Sequence, residues 1–86
     1  MPTICMFRGI KIFINWRDHQ PPHFHATYGG SSVIVSIRDI EVLEGGMPNK
    51  QLKMLLGWAA LHQDELLENW SLAEQNQELF PIDPLR

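Results

Sequence analysis

The chain has one cysteine and no long apolar run, and each of these absences narrows the class of protein. A single cysteine among 86 residues excludes an internal disulfide, which fits a reducing compartment. No run approaches the roughly 18 apolar residues that cross a bilayer, and the N-terminus lacks the successive regions of a signal peptide. We therefore expect a single cytoplasmic domain over residues 1–86, without contact to a membrane.

The charge balance argues against a general nucleic-acid-binding protein. The net charge is −3, with an excess of two positive charges in residues 1–40 and of five negative charges in residues 41–86. Proteins that grip nucleic acid through its phosphates are basic overall. A local phosphate contact by Arg8, Lys11 and Arg17 stays open, although a solvated sheet face explains these residues more simply.

Hydrophobic periodicity divides the chain into a β-rich first part and a helical second part. Ile10, Ile12 and Ile14 alternate with less apolar neighbours, which is the period of a half-buried strand. The pairs Gly29-Gly30 and Gly45-Gly46 lack the sequence context of a phosphate-binding loop, so we expect turns. Strands are predicted at residues 3–7, 10–14, 23–28, 32–37 and 40–43.

From residue 52 onward, apolar side chains recur every three or four positions, which predicts a helix over residues 49–70. Such a helix is roughly 33 Å long at 1.5 Å per residue, so a bend or break is expected at Gly57 or at residues 62–64. The sequence thus predicts an α+β fold: a small antiparallel sheet of four or five strands against one long or bent C-terminal helix. The expected parts are β-rich residues 1–46, helical residues 47–72 and an extended tail, residues 73–86.

Three of the four histidines fall within seven residues, in the segment Asp18-His19-Gln20-Pro21-Pro22-His23-Phe24-His25-Ala26. Imidazole titrates near neutrality and is the commonest metal ligand. If a strand begins at His23, then His23 and His25 point to one face about 6.7 Å apart, while Phe24 faces the core. This segment is therefore the predicted functional site.

The first interpretation of the segment is a metal site with His19, His23, His25 and Asp18 as candidate ligands. Three imidazole nitrogens with an open fourth position would resemble a catalytic zinc centre. Two histidines with one carboxylate would suit iron, manganese or nickel as well. Asp18 would serve either as a ligand or as the group that orients a histidine through its other ring nitrogen.

Two further interpretations stay open. His23 and His25 would act as catalytic acid and base in phosphodiester cleavage, with Arg17 or Arg8 holding the phosphate. Alternatively, the double proline fixes a loop whose histidines make structural or partner contacts. For the fourth histidine, His62, we expect a half-buried position on the apolar stripe of the helix, and for Cys5 no nucleophilic role.

The chain resembles a family of small bacterial proteins, domain-of-unknown-function family 4160, over about residues 1–70. The matching features are Met1-Pro2-Thr3-Ile4, Phe7-Arg8-Gly9-Ile10-Lys11-Ile12, Asp18-His19, Pro21-Pro22-His23-Phe24-His25-Ala26, Tyr28-Gly29, Leu43-Glu44-Gly45-Gly46 with Pro48, and Glu65-Leu66-Leu67-Glu68-Asn69-Trp70. The resemblance implies an α+β domain and defines no catalytic residues.

Members of this family are often encoded beside a second small domain, a layout similar to that of toxin–antitoxin pairs. The resemblance therefore implies a toxin–antitoxin-like regulatory module that binds a small co-encoded protein or a second copy of itself, and possible contact with nucleic acid. The exposed edges of so small a sheet also favour a partner. The alternatives are a small ribonuclease-like hydrolase that uses His23 and His25, with or without a metal, and a metal-sensing regulator.

Overall fold

The computed structural model of the protein describes residues 2–85, so Met1, where the family resemblance begins, and Arg86 lie outside the described residues. Within residues 2–85, five strands precede two helices. The elements are β1 (Thr3–Phe7), β2 (Ile10–Phe13), β3 (His23–Tyr28), β4 (Ser31–Ser36), β5 (Glu41–Gly46), α1 (Asn49–Leu61) and α2 (Gln63–Glu74). The expected α+β class is confirmed.

The five strands form one antiparallel meander in the order β1-β2-β3-β4-β5, so every strand pairs with its neighbours in sequence. Arg8 and Gly9 connect β1 to β2 with φ angles of 48° and 81°. Positive φ at both central positions is typical of the turn that matches the twist of a two-residue hairpin. Gly29 and Gly30 connect β3 to β4, as predicted.

The core lies between one face of the sheet and the helices. Because side chains alternate along a strand, every second residue of β2, β3 and β4 reaches this face. These buried residues are Ile10, Ile12, Phe24, Ala26, Val33 and Val35. Trp58 of α1 is fully buried against them, with its ring centroid 5.8 Å from that of Phe7 and 6.2 Å from that of Phe24.

The predicted helix is divided into two pieces at His62. The backbone N–H of His62 still bonds the carbonyls of Trp58 and Ala59, at 3.1 and 3.3 Å, and α2 then runs to Glu74, beyond the expected end. Gly57, the other predicted break, lies within α1. None of the helices in residues 2–85 has the length and apolarity needed to cross a membrane.

The prediction of a turn at Gly45-Gly46 is wrong, because both glycines lie in β5. Gly45 has a φ of 76°, and a Cβ added there would lie 2.3 Å from the carbonyl oxygen of Ser32. Glycine is thus required at position 45 because the β4 backbone lies too close for a side chain, and not because the chain turns there. As a result, β5 extends the sheet three residues further than the sequence predicts.

The C-terminal residues 77–85 have no regular structure and pack on the body of the protein. Ile82 is buried, and its N–H donates to the carbonyl of Ile4 in β1 at 2.8 Å. The buried Asn69 side chain donates to the Phe80 carbonyl at 2.9 Å and accepts from the Phe80 N–H at 3.0 Å. The tail therefore covers part of the β1 edge of the sheet, while β5 forms the other edge.

Candidate metal centre

Asp18, His23 and His25 converge where the loop between β2 and β3 meets the start of β3. Oδ2 of Asp18 lies 2.9 Å from Nε2 of His23 and 3.2 Å from Nε2 of His25. One potential ligand atom of each side chain lies within 4.8 Å of those of the other two. Because side chains alternate along a strand, His23 and His25 project to the same side of β3. Pro21-Pro22 reverses the direction of the chain before β3, so that Asp18 lies opposite both histidines.

His23 is held on all sides. Its side chain is buried, its ring centroid lies 5.0 Å from that of Trp70 in α2, and its Nδ1 lies 2.8 Å from the carbonyl oxygen of Pro21. A carbonyl oxygen only accepts, so Nδ1 carries a proton and donates it. This contact orients the ring so that Nε2 faces Asp18.

His25 is oriented by stacking and stays partly accessible. Its ring lies nearly parallel to that of Phe13, at an angle of 8° and a centroid distance of 5.0 Å, and the two residues are cross-strand neighbours. Nε2 of His25 also lies 3.4 Å from the side-chain nitrogen of Asn15. The accessible edge of His25 therefore faces Asp18, Asn15 and solvent.

The surroundings of Asp18 keep its carboxylate ionised. Partial burial alone would raise its pKa, but hydrogen bonds from His25, from the backbone N–H of His19 and from His23 lower the pKa from 3.8 to about 2. The N–H of His19 donates to Oδ1 at 2.9 Å, which leaves Oδ2 for the two rings. At neutral pH Asp18 therefore presents an anionic oxygen within reach of two imidazoles.

Two shallow depressions adjoin the cluster. The first depression has a volume of about 150 Å³ and is lined in part by Asp18, His23 and His25. The second has a volume of about 120 Å³. His25, Ile34 and Glu44 line both depressions, because His25 is paired with Ile34 and Ile34 with Glu44 across three adjacent strands. Among the described residues that line them, none is a lysine or an arginine.

The sequence profile of the family described as "Domain of unknown function (DUF4160)" matches residues 9–71. The chain belongs to this family. The matched span includes the whole Asp18–His23–His25 cluster and confirms the resemblance seen in the sequence. No match was found among curated proteins or among solved structures. The family description assigns no activity, so the function must be argued from the site.

In this member of the family, three of the four candidate ligands come together and His19 does not. The His19 side chain is 86 % exposed, its Nε2 lies 3.8 Å from Oδ1 of Asp18 rather than Oδ2, and its ring centroid is 5.6 Å from that of His23. Its Nδ1 lies 3.2 Å from the carbonyl oxygen of Gln20. His19 thus belongs to the rim of the larger depression rather than to the group of converging atoms.

The other candidates from the sequence lie outside the cluster. Arg8 occupies the β1–β2 turn, and neither it nor Arg17 is among the residues that line the depressions. His62 is half-buried, as expected, and its Nδ1 lies 2.6 Å from Oε1 of Glu65. Cys5 is buried in β1, and burial raises the pKa of its thiol, which agrees with the expectation of no nucleophilic role.

Sequence analysis did not identify Phe13, Asn15 and Glu44 as parts of the site. The alternation of β2 places Phe13 and Asn15 on the side of the sheet that carries His25, and this could have been noticed from the strand prediction. Glu44 reaches the site only through the pairing of β3 with β4 and of β4 with β5. That pairing includes an irregularity between Ile34 and Val35, which no sequence pattern indicated.

Proposed function

We propose that the protein binds one divalent transition-metal ion between His23, His25 and Asp18. The observation that carries this proposal is the convergence of two Nε2 atoms on one carboxylate oxygen, at 2.9 and 3.2 Å. An ion at metal–ligand distances of about 2.0–2.2 Å holds neighbouring ligand atoms roughly 3 Å apart. The two separations from Oδ2 of Asp18 are therefore those expected of ligand atoms that share one ion.

The hydrogen bonds of His23 support the same proposal. Nδ1 faces the carbonyl of Pro21 and Nε2 faces an ionised carboxylate, so both ring nitrogens face acceptors. A neutral imidazole carries a single proton and satisfies one of these contacts. The second acceptor is satisfied if Nε2 carries a second proton or if Nε2 binds a metal ion that Asp18 also binds. The second arrangement is common, because a histidine that binds a metal through one nitrogen usually donates the N–H of the other to a carbonyl or carboxylate.

The chemistry of the three ligands indicates which ions to test. Two imidazoles and one carboxylate suit zinc, manganese, iron and nickel. The alternative of a metal-free acid–base hydrolase has less support, since both Nε2 atoms face Asp18 and no lysine or arginine among the described residues lines the depressions to hold a phosphate. A bound ion would serve hydrolysis or metal-dependent regulation, the two metal-linked alternatives.

Metal stoichiometry of the untagged protein tests the proposal. We expect the metal-free protein, reloaded with zinc, manganese, iron(II) or nickel, to retain one ion per chain by elemental mass spectrometry for at least one of these metals. In His25→Ala and Asp18→Asn, the affinity for that ion should fall by at least about a hundredfold, because loss of an outer contact alone costs 10–100-fold.

His19→Ala and His62→Ala are the matched controls, since each removes an imidazole outside the converging group. Both should bind the ion as wild type does. Circular dichroism of every metal-free variant verifies the fold, and His25 is the preferred target because it is less buried than His23. A folded wild type that takes up none of the four ions would contradict the proposal.

A second candidate function, partner binding, has support from the exposure of β5. All six of its residues are exposed, including Leu43 at 50 %, and the strand pairs with β4 on one side only. An edge of this kind can accept an added strand from another protein. Because β5 carries Glu41 and Glu44 and no basic residue, we propose a basic strand of a small co-encoded protein, as in a toxin–antitoxin-like pair.

Co-purification with the product of the neighbouring gene tests this second candidate. Light scattering after gel filtration should give the mass of a heteromeric complex, and Glu41→Lys/Glu44→Lys should abolish it. The control is Glu68→Lys/Glu78→Lys, which makes the same change of charge at two exposed positions outside β5. A complex unaffected by the β5 variant, or a protein that forms only homodimers, would argue against pairing with a basic strand.

A further inference from the structure

Asn15 is placed to join the metal centre, although its residue type and position did not single it out in the sequence. It follows β2 by two residues, and the alternation of the strand carries its side chain to the face of Phe13 and His25. Its side-chain nitrogen lies 3.4 Å from Nε2 of His25, the atom that also faces Asp18 at 3.2 Å. The amide therefore contacts the one nitrogen of His25 that also faces Asp18.

The groups around Nε2 of His25 determine whether the nitrogen or the oxygen of the Asn15 amide should face that atom. An ionised Asp18 only accepts, so Nε2 of His25 faces it favourably when that nitrogen carries a proton or binds a cation. In both cases an NH₂ group directed at Nε2 is unfavourable. Rotation of the Asn15 amide by 180° exchanges its nitrogen and oxygen without other movement and presents Oδ1 instead.

We propose that Asn15 supplies a fourth protein ligand through Oδ1, so that two imidazole nitrogens, one carboxylate oxygen and one amide oxygen surround the ion. This inference rests on the proposed metal-binding function. A mixed set of nitrogen and oxygen ligands favours zinc, manganese, iron(II), cobalt(II) or nickel over soft ions such as copper(I). Asp18 is then the one anionic ligand, and the ion retains a net charge of +1.

Titration of the metal-free protein with zinc and with cobalt(II) tests the role of Asn15. Asn15→Ala should weaken zinc binding by about tenfold, less than the loss of His25 or Asp18, because a neutral amide oxygen is a weaker donor than an imidazole or a carboxylate, while the stoichiometry stays at one ion per chain. Its cobalt(II) complex should have a visible absorption spectrum different from that of wild type, because one ligand has been replaced. Asn15→Asp retains an oxygen at the same distance and adds a charge, so it should bind zinc at least as tightly as wild type.

The controls separate this inference from the proposed function. Asn49→Ala removes an exposed amide at the start of α1 and should alter neither the affinity nor the spectrum. A wild type that binds neither zinc nor cobalt(II), and none of manganese, iron(II) and nickel, overturns both proposals. A wild type that binds, with Asn15→Ala unchanged in affinity and spectrum, overturns the role of Asn15 alone.

A role for Asn15 in orienting His25, without a bond to the ion, would give a different pattern. Asn15→Ala would then weaken binding but leave the cobalt(II) spectrum unchanged, and this result also overturns the inference. If Asn15→Ala does not fold by circular dichroism, Asn15→Asp decides, because a ligand carboxylate must change the cobalt(II) spectrum while an orienting group leaves it as in wild type.

Discussion

Asp18 and His23 lie on opposite sides of Pro21-Pro22, and Oδ2 of the first is 2.9 Å from Nε2 of the second. The carbonyl of Pro21 accepts the hydrogen bond from the other nitrogen of the His23 ring at 2.8 Å. The double proline therefore reverses the direction of the chain between Asp18 and His23, and its first carbonyl fixes the orientation of the His23 ring that Asp18 contacts. Because Asp18 lies between two histidines, its charge links the stability of the site to pH and to metal ions.

We expect Asp18 to stabilise the metal-free fold in a defined pH range. Its pKa of about 2 lies below the ordinary value of 3.8, so its contribution is fully present above pH 3.8 and is lost as the pH falls through about 2. After allowance for solvent contact, the contribution is about 1–2 kcal/mol. Asp18→Asn should be less stable than wild type by this amount at pH 5.

Urea unfolding of wild type and Asp18→Asn between pH 5 and pH 2.5, in the absence of metal, measures this contribution. The difference in unfolding free energy should shrink as the pH falls, since the asparagine does not titrate while the Asp18 carboxylate takes up a proton in the unfolded chain near pH 3.8, before it does so in the folded protein. Asp39→Asn, in the turn between β4 and β5, is the control for a general charge effect. A difference that is constant over this range would contradict the role assigned to Asp18.

The stacking of Phe13 on His25 predicts a specific effect on metal affinity. Phe13→Leu keeps an apolar side chain but removes the parallel ring at 5.0 Å, and we expect a loss of roughly 1 kcal/mol of stability. The freed His25 ring should also lower the metal affinity several-fold, because the ligand is no longer held in place. Isothermal titration with zinc measures this second effect.

Phe7→Leu is the matched control for Phe13→Leu. The two rings are similarly buried, at 7 % and 8 % exposure, but Phe7 packs against Trp58 in the core. We expect a comparable loss of stability from Phe7→Leu with unchanged zinc affinity. Equal losses of affinity in the two variants would indicate that general destabilisation, rather than the stacking contact, controls the site.

Residue periodicity was sufficient to predict much of the fold and the placement of two of the three converging side chains. The alternation of strands correctly places His23 and His25 on one face, and the three-and-four spacing of apolar residues predicts the helical part. The position of His19 could not be predicted because it precedes Pro21-Pro22, where local geometry rather than a repeating pattern decides the direction of each side chain. The break at His62 was one of the two predicted alternatives.

The sequence was less informative where contacts depend on pairing between strands. Glu44 lies beside His25 only because β4 stands between their strands in one particular register, and a single sequence does not define register. Gly45-Gly46 was taken as a turn because paired glycines usually mark one, whereas the close approach of Ser32 is a property of the assembled sheet. These two features become visible only in three dimensions.

The two glycines of β5 should differ sharply in their tolerance of substitution. Gly45→Ala places a Cβ 2.3 Å from the Ser32 carbonyl oxygen at a φ of 76°, and we expect a loss of about 2 kcal/mol or more. Gly46→Ala meets nothing within 4 Å and should change the unfolding free energy by less than about 0.5 kcal/mol. Thermal unfolding of both variants tests this contrast, and equal effects would contradict it.

The contact between Asn69 and Phe80 predicts that the tail is an integral part of the fold. Asn69 is fully buried and bonds both backbone groups of the half-buried Phe80, so Asn69→Ala leaves that N–H and that carbonyl without their partners. Each such loss costs about 1–3 kcal/mol, and we expect a total of about 3 kcal/mol. Urea unfolding measures this loss.

Hydrogen exchange should place the effect of Asn69→Ala at the tail and at the strand it covers. The amide of Ile82 bonds the Ile4 carbonyl, so its protection should fall to the level of local opening, while the amides of β3 and β4 stay protected. Gln75→Ala removes an exposed amide that bonds only Ser71 and should leave both stability and exchange unchanged. If Asn69→Ala instead weakened all strands equally, the tail would unfold only with the whole domain, and the β1 edge would never be exposed separately from the core.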